Sequence, residues 1–495
     1  MASAFLPNLP KTVSASSKSL SPTISDNYKA GNSTADATRY AIFCVLWAIA
    51  TLFHMAQSRI YTSQLHYVLL TLAAIALILK PASVLRLLTF IALQLYEVLF
   101  TLPNISNHWV FTTFVNLTIM QALFYLVIKK GTFQIDRVDF IRLFAPVVRV
   151  ELLLLYFFVV LHKLNWDFLA PASSCAVLLY KAQHLEALLP ASSALMVANI
   201  YLTLFIETLI PLLLFFRITR NAGLFIGLCF HCVIAFNSYN GFYDFSSMVF
   251  AIYFLFTDYK FSNNVASIYW KNRSRWSKIK QQFAHFSILN VFVWVALFSS
   301  ALLILKLVSK AFVDYSQGLW GAYSFLFILI FILSLRKNNQ PKSSPVFSVQ
   351  SGAFLLFPVI VFLNGISPYL GLKTEYSFAM FSNLRTEGGI TNHLFIPVSA
   401  QVFGFQDMVE IVSSSDPELQ KIADENKLLT FFQFKNHVAD HHPAYVRYVR
   451  NGQPHTFALA TTPANDELLH KSFPLLRKTM RFRLINKVGS QPCQH

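Results

Sequence analysis

Charge is scarce in this chain. Asp, Glu, Lys and Arg make up 13% of its 495 residues, against roughly a quarter in soluble domains. With 55% hydrophobic residues, that shortage excludes an ordinary soluble protein and indicates a polytopic membrane protein. Cysteine is scarce as well, and five are too few for a disulfide framework. Cys44, Cys229 and Cys232 lie inside apolar segments and read as small core residues. Cys175 and Cys493 fall outside them, on one expected side, where a bridge can form; two unrelated thiols are the simpler reading. No Gly-rich phosphate loop or nucleophile elbow is present. Acidic residues number 23 against 40 basic ones, a net charge of +17. The basic residues collect in short loops between apolar runs, which fits anchoring to anionic lipid and argues against nucleic-acid binding.

What is abundant is apolar sequence in lengths that match a bilayer, about 20 residues per helix. Candidate spans are 40–57, 65–79, 84–102, 109–128, 143–165, 195–216, 221–238, 244–258, 286–305, 318–335 and 351–366. The expected fold is therefore a polytopic α-helical membrane protein with about nine to eleven transmembrane helices. Residues 1–38, rich in Ser and Thr and without hydrophobic periodicity, read as a disordered cytoplasmic tail. The first span reads as an uncleaved anchor, and the lack of Arg before Arg39 argues against a mitochondrial presequence.

Loop charge sets the expected orientation. Lys80 and Arg86, Lys129 to Arg142, Arg217 and Arg220, Lys260 to Lys280, and Arg336 to Lys342 follow even-numbered spans. The loops PNISNH and NSYNGFYD, after the third and seventh, carry no Lys or Arg. The amino terminus is thus expected in the cytoplasm and the carboxyl-terminal region in the periplasm, extracellular space or lumen. Lys306 and Lys310 run against this rule. The short outer region favours a bacterial inner membrane. Residues 39–366 form the expected membrane domain, and 367–495 a small α+β extracytoplasmic domain. In the latter, YVRYVR (445–450), TFALATT (456–462) and RFRLINKV (481–488) alternate like strands. DPELQKIADENKLL (416–429) has helical spacing with Asp416 as cap. His437, Asp440, His441 and His442 offer possible metal ligands, but their spacing matches no metal motif, and a solvated loop before Pro443, without a metal, is the simpler reading.

On this topology the ionisable residues inside the spans favour the outer half. Asn107 and His108 open the fourth span, and His162, Lys163, Asn165 and Asp167 close the fifth. Glu207 and His231 sit near mid-depth in the sixth and seventh. Charge inside a bilayer costs about 3 kcal/mol at a helix centre and marks a pathway or a site. From position alone Lys163 reads equally as a snorkelling ammonium or a catalytic base. Glu207 and His231 read as site residues or as a hydrogen bond between helices.

At these residues the sequence resembles the vitamin K-dependent gamma-carboxylase family and its relatives, the horizontally transferred transmembrane (HTTM) domain proteins. SNHWVFTTFVNL (106–117) is similar to the family's Asn-His helix start, and LLYFFVVLHKLNWDF (154–168) to the stretch that holds its active-site lysine. RNAGLFIGLCFHCVIAF (220–236) and TEYSFAMFSNLRTEGGITNHLFIP (374–397) resemble two further family segments, in family order. The resemblance spans roughly residues 40–400.

The resemblance implies that neutral Lys163 takes a proton from reduced vitamin K or another naphthoquinol, with His108 and Asn107 polarising the ring oxygens. His231, Glu207 and Asn165 would help to hold that cofactor. The quinol anion would react with O2 to give a strong base, which removes a proton from a protein glutamate, and the carbanion would capture CO2. Membrane lipids, the quinol and a glutamate-bearing protein are the partners implied. The alternatives are a quinol-dependent oxygenase or epoxidase acting on another molecule, and a non-enzymatic lipid- or quinone-binding membrane protein.

Overall fold

The structure, a computed structural model, describes residues 24–58, 64–183, 192–239, 241–257, 261–265, 267, 315–335 and 347–493, with side chains from Asp36 onwards. It is mostly helical, with one small sheet. The apolar helices are α1 (Ile24–Ser58), α2 (Leu65–Leu79), α3 (Val84–Thr101), α4 (Asn107–Lys130) and α5 (Arg137–Lys163). After the short α6 (Trp166–Leu169) and α7 (Cys175–Ala182) come α8 (Ser193–Phe215), α9 (Arg220–Ile234), α10 (Tyr243–Leu255), α11 (Tyr315–Leu335) and α12 (Leu356–Ile366). Among the described residues six helices are long and apolar enough to cross a membrane, namely α1, α3, α4, α5, α8 and α11. One side of α8 keeps large apolar side chains exposed, Leu202 at 53% and Phe205 at 60%, while Ile200 and Ile210 are buried. Water solvates such a surface poorly, and lipid contact is compatible with it.

Ten of the eleven expected spans coincide with helices, and the ninth, 286–305, lies outside the described residues. The expected tail is corrected in part, since α1 already begins at Ile24. Nothing before Ile24 is described.

The chain divides into two compact units that do not follow chain order. The first holds residues up to Glu97, Val115–Val150 and Leu212–Leu355. Its interior contains a polar relay among apolar side chains. Trp47 Nε1 donates to Asn116 Oδ1 (3.0 Å), Asn116 Nδ2 to Gln94 Oε1 (2.9 Å), and Gln94 Nε2 to Thr51 Oγ1 (2.7 Å). Each buried donor meets an acceptor, so α1, α3 and α4 are joined without leaving a polar group unsatisfied. On α9, Gly223 and Gly227 have no room for a side chain, because a Cβ would strike Leu213 and the Tyr253 ring.

The second unit holds Val98–Phe114, Glu151–Pro211 and Leu356–His495. The region after Ile366 is therefore packed together with the ends of α4 and α5, not set apart as a separate cap. Its sheet is antiparallel in the order β4-β3-β1-β2-β5, with β1 (Met408–Ser414), β2 (Lys427–Thr430), β3 (Tyr445–Arg450), β4 (Gln453–Ala458) and β5 (Ile485–Asn486). Helices α13 (Pro417–Asp424) and α14 (Phe431–His441) contribute Leu419, Phe434 and Val438 to a core with Val409, Ile411 and Val446. Asp416 caps α13 as expected, accepting from the Glu418 and Leu419 N–H groups. The helix stops at Asp424, well short of the expected 429, because Asn426 turns the chain in the left-handed region (φ 52°) into β2. His437 and His441 are corrected from loop to helix, since Thr430 caps α14 and carries it through both. A last short helix, α15 (Pro474–Thr479), precedes β5.

Candidate functional site

Helix α5 ends at Lys163, and a cation in the last turn of a helix faces its negative dipole end. Asn165 then opens α6, where its Oδ1 accepts from Phe168 N–H (2.9 Å). Its Nδ2 donates to His162 O (2.8 Å) and Ser382 O (2.6 Å). This Asn, expected among the cofactor-binding residues, has both amide protons engaged in holding the turn after Lys163.

The turn leaves the lysine inside the protein. Lys163 is 6% exposed and Glu207, on α8, 8%. The Lys163 ammonium lies 2.5 Å from each Glu207 carboxylate oxygen. Phe168 presents its ring 5.7 Å from the same nitrogen. Desolvating two charges is costly, and the pair holds because each supplies the other's counter-charge. Glu207, expected either in the site or bonded to His231, is thus the partner of Lys163.

Beside His162 and Asn165, 376–383 is a strained loop. Tyr376, Phe378, Phe381 and Asn383 all have positive φ, between 54° and 66°. Bulky side chains rarely adopt this conformation, at a cost of roughly 1–3 kcal/mol each. Buried side chains hold the backbone there. Asn107 Oδ1 accepts from Phe378 N–H (2.8 Å), and Asn364 Nδ2 donates to Tyr376 O (2.7 Å). Arg483 donates to Ala379 O and, at 3.2 Å, to Leu384 O. Asn107, expected to polarise a substrate oxygen, uses its own oxygen on this loop.

His162 is fixed by the same loop. Ser377 O, 3.0 Å away, can only accept, so His162 Nε2 carries the proton and Nδ1 accepts from the Tyr369 hydroxyl at 2.9 Å. Burial pushes the Tyr369 phenol up, which keeps that O–H a donor. His393 is anchored likewise, donating from Nε2 to Leu161 O (3.0 Å) and accepting at Nδ1 from Phe395 and Ile396 N–H. Burial pushes its imidazole down. Both histidines are positioning residues for the end of α5.

His108 is half-buried, with Nε2 3.2 Å from Ser106 Oγ. His231 is 1% exposed and belongs to the first unit, with Nδ1 3.5 Å from Ser246 Oγ and its ring against Phe245 and Tyr253. Lys373 was missed. It is partly buried, has no carboxylate within ion-pair distance among the described residues, and lies 5.8 Å from the Tyr376 ring. Burial pushes its ammonium down to about 8. Asn364 and Arg483, which hold the loop, and Tyr369, which bonds His162, were missed too, since nothing in their spacing brings them together.

Cys175 and Cys493 are joined in a disulfide, against the simpler expectation of separate thiols. The tail reaches Cys175 through Asn383, whose Oδ1 accepts from Cys175 N–H and whose Nδ2 donates to Ser173 O and Gln491 O, each at 2.9 Å. Asp167 Oδ2 adds a bond from Gln491 N–H (3.0 Å).

No protein-family model, curated protein or solved structure matches the chain.

Proposed function

We propose that the chain is an integral membrane enzyme of the carboxylase-like class, in which the Lys163–Glu207 pair takes the proton from a naphthoquinol. One observation carries this reading. A lysine and a glutamate share a buried site, in contact with each other through both carboxylate oxygens. The pair is neutral at rest, so it tolerates a low dielectric. If Lys163 passes its extra proton to Glu207, a free amine faces the substrate. That amine then accepts the phenolic proton and leaves the pair at +1 beside the quinol anion, where the opposite charges stabilise each other.

The chemistry of the groups present fits a quinol. Lys163 supplies the acceptor, Phe168 an aromatic face near it, and Glu207 the store for a proton. When bound, the quinol would supply the reducing equivalents for oxygen chemistry, and proton abstraction from a glutamate followed by CO2 capture would be the carboxylation step. The rest of the site serves position. Asn165, His162 and His393 hold the end of α5, and Asn107 holds the loop that lies on it. Burial excludes water that would quench a strong base. The disulfide supports an outer, oxidising location for the carboxyl-terminal region, in line with the loop charges.

A purely structural pairing of α5 with α8 would have the same geometry, and turnover separates the two. Membranes containing the protein are given a reduced naphthoquinone, O2 and radiolabelled bicarbonate, and label is counted in protein. The expected result is quinol-dependent label that disappears in Lys163→Ala. Equal label in that variant rules out Lys163 as the base. Quinol consumption without label moves the reading to an oxygenase with another acceptor, and neither activity to a lipid or quinone carrier.

A further inference from the structure

The carboxyl-terminal region holds a second cluster of titratable side chains that the proposed reaction does not use. His437 and His441 are four residues apart on α14, so one helical turn sets both on the same face, and their rings stack with centroids 4.1 Å apart. Asp416, the cap of α13, meets them, with Oδ1 3.0 Å from His437 Nε2. One ligand atom from each of Asp416, His437 and His441 lies within 4.8 Å of the other two. Glu418 brings a second carboxylate, Oε2, 3.8 Å from His437 Nδ1.

The hydrogen bonds fix which atoms can bind. His441 Nδ1 lies 3.1 Å from the carbonyl oxygen of His437. A carbonyl only accepts, so Nδ1 carries the proton and the Nε2 lone pair is left for a ligand bond. Asp416 Oδ1 is anchored by the Glu418 and Leu419 N–H groups, each at 3.0 Å. That carboxylate is therefore held in place before any ion arrives.

We infer that this cluster is a binding site for a divalent cation of the zinc class, with His437 Nε2, His441 Nε2 and the Asp416 carboxylate as ligands. The ion takes the place of the Nε2 proton that His437 gives to Asp416, and that proton passes to Nδ1 as the ring changes tautomer. His437 Nδ1 then donates to Glu418, and His441 Nδ1 keeps its carbonyl. The His441 bond to its carbonyl already exists, and exposed Glu418 closes its 3.8 Å gap to His437 Nδ1 when the ion binds; such outer bonds orient metal-bound imidazoles. Two imidazoles and one carboxylate suit zinc, cobalt or nickel, whereas calcium and magnesium require more oxygen ligands. Ligand atoms around a tetrahedral ion with bonds near 2.0 Å sit about 3.3 Å apart, so the side chains draw together as the ion binds. His441 is exposed, and its ring can tilt about the Nδ1 hydrogen bond towards the ion. The ion would tie the start of α13 to the end of α14, both of which pack on the sheet core through Leu419 and Val438.

The test uses the full chain, purified in detergent, stripped with a chelator and reloaded with zinc or cobalt chloride alone. Bound metal is measured after dialysis, and thermal unfolding is followed with zinc and with magnesium. The wild type is expected to keep about one zinc more per chain than His441→Ala or His437→Ala, and to melt higher with zinc but not with magnesium. Asp416→Asn should bind at least about tenfold more weakly. His441→Ala leaves the Asp416–His437 bond intact, so it decides the question even where His437→Ala fails to fold. Retention of the full zinc complement by His441→Ala overturns the site, as does an equal melting shift with magnesium.

Discussion

Lys163 and Glu207 respond differently to single and paired substitution, because removing one leaves the other charged and buried. Lys163→Ala or Glu207→Ala alone is expected to cost about 3–5 kcal/mol, whereas Lys163→Met with Glu207→Leu together should recover most of it. Thermal unfolding in detergent checks this, and additive losses would mean that the contact carries no coupling. Lys163→Arg keeps the charge but is expected to abolish turnover, because a guanidinium does not give up its proton usefully. Lys373 offers a pH test away from the pair. Its folded value near 8 lies below the ordinary 10.5, so the unfolded chain binds more protons between those limits. Stability should therefore rise with pH across that window and be lowest below it. Lys373→Met is expected to flatten the rise and to stabilise the protein below pH 8; an unchanged profile would contradict the assignment. In the sequence Lys163 is legible, as a charge at the end of an apolar run. Glu207 is legible as the one acid of its helix. That they meet is not, because spacing along two helices separated by α6 and α7 does not set which faces touch.

At the scale of elements, the close fit of α12 on α5 is a sensitive point. A Cβ on Gly365 would collide with the Phe158 ring, which is fully buried and stacks on His162 one turn later. Gly365→Ala should destabilise by about 1–3 kcal/mol and disturb the turn that carries Lys163. Wild-type stability in that variant would show that the ring moves aside freely. The apolar helices were readable because a bilayer-length run leaves little choice of structure. The carboxyl-terminal region was readable only in part. YVRYVR is β3 as its alternation indicates, but β4 covers 453–458, earlier than the expected 456–462, and β5 shrinks to Ile485–Asn486. The central strand, MVEIVSS, gave no cue, since it pairs on both edges and its bulge near Ser413 breaks the alternation. The strained loop at 376–383 was also invisible, because side chains distant in sequence hold its positive φ values.

For the whole molecule, charge in the loops and the disulfide bear on the same question of sidedness. Cysteines introduced between 400 and 490 are expected to react with an impermeant thiol reagent only from the outer face of sealed vesicles. Labelling from the cytoplasmic face would refute the orientation. The Cys175–Cys493 bond closes a loop across 318 residues, so its reduction should cost about 2–5 kcal/mol, seen as a lower melting temperature in reductant; an unchanged one would show the bond adds nothing. The most direct test of the central claim is quinol-dependent oxygen consumption by the purified protein and by Lys163→Met/Glu207→Leu, compared at matched melting temperature. The wild type should consume oxygen, and the variant at least about a hundredfold more slowly. Equal rates would show that the pair only fastens two helices together.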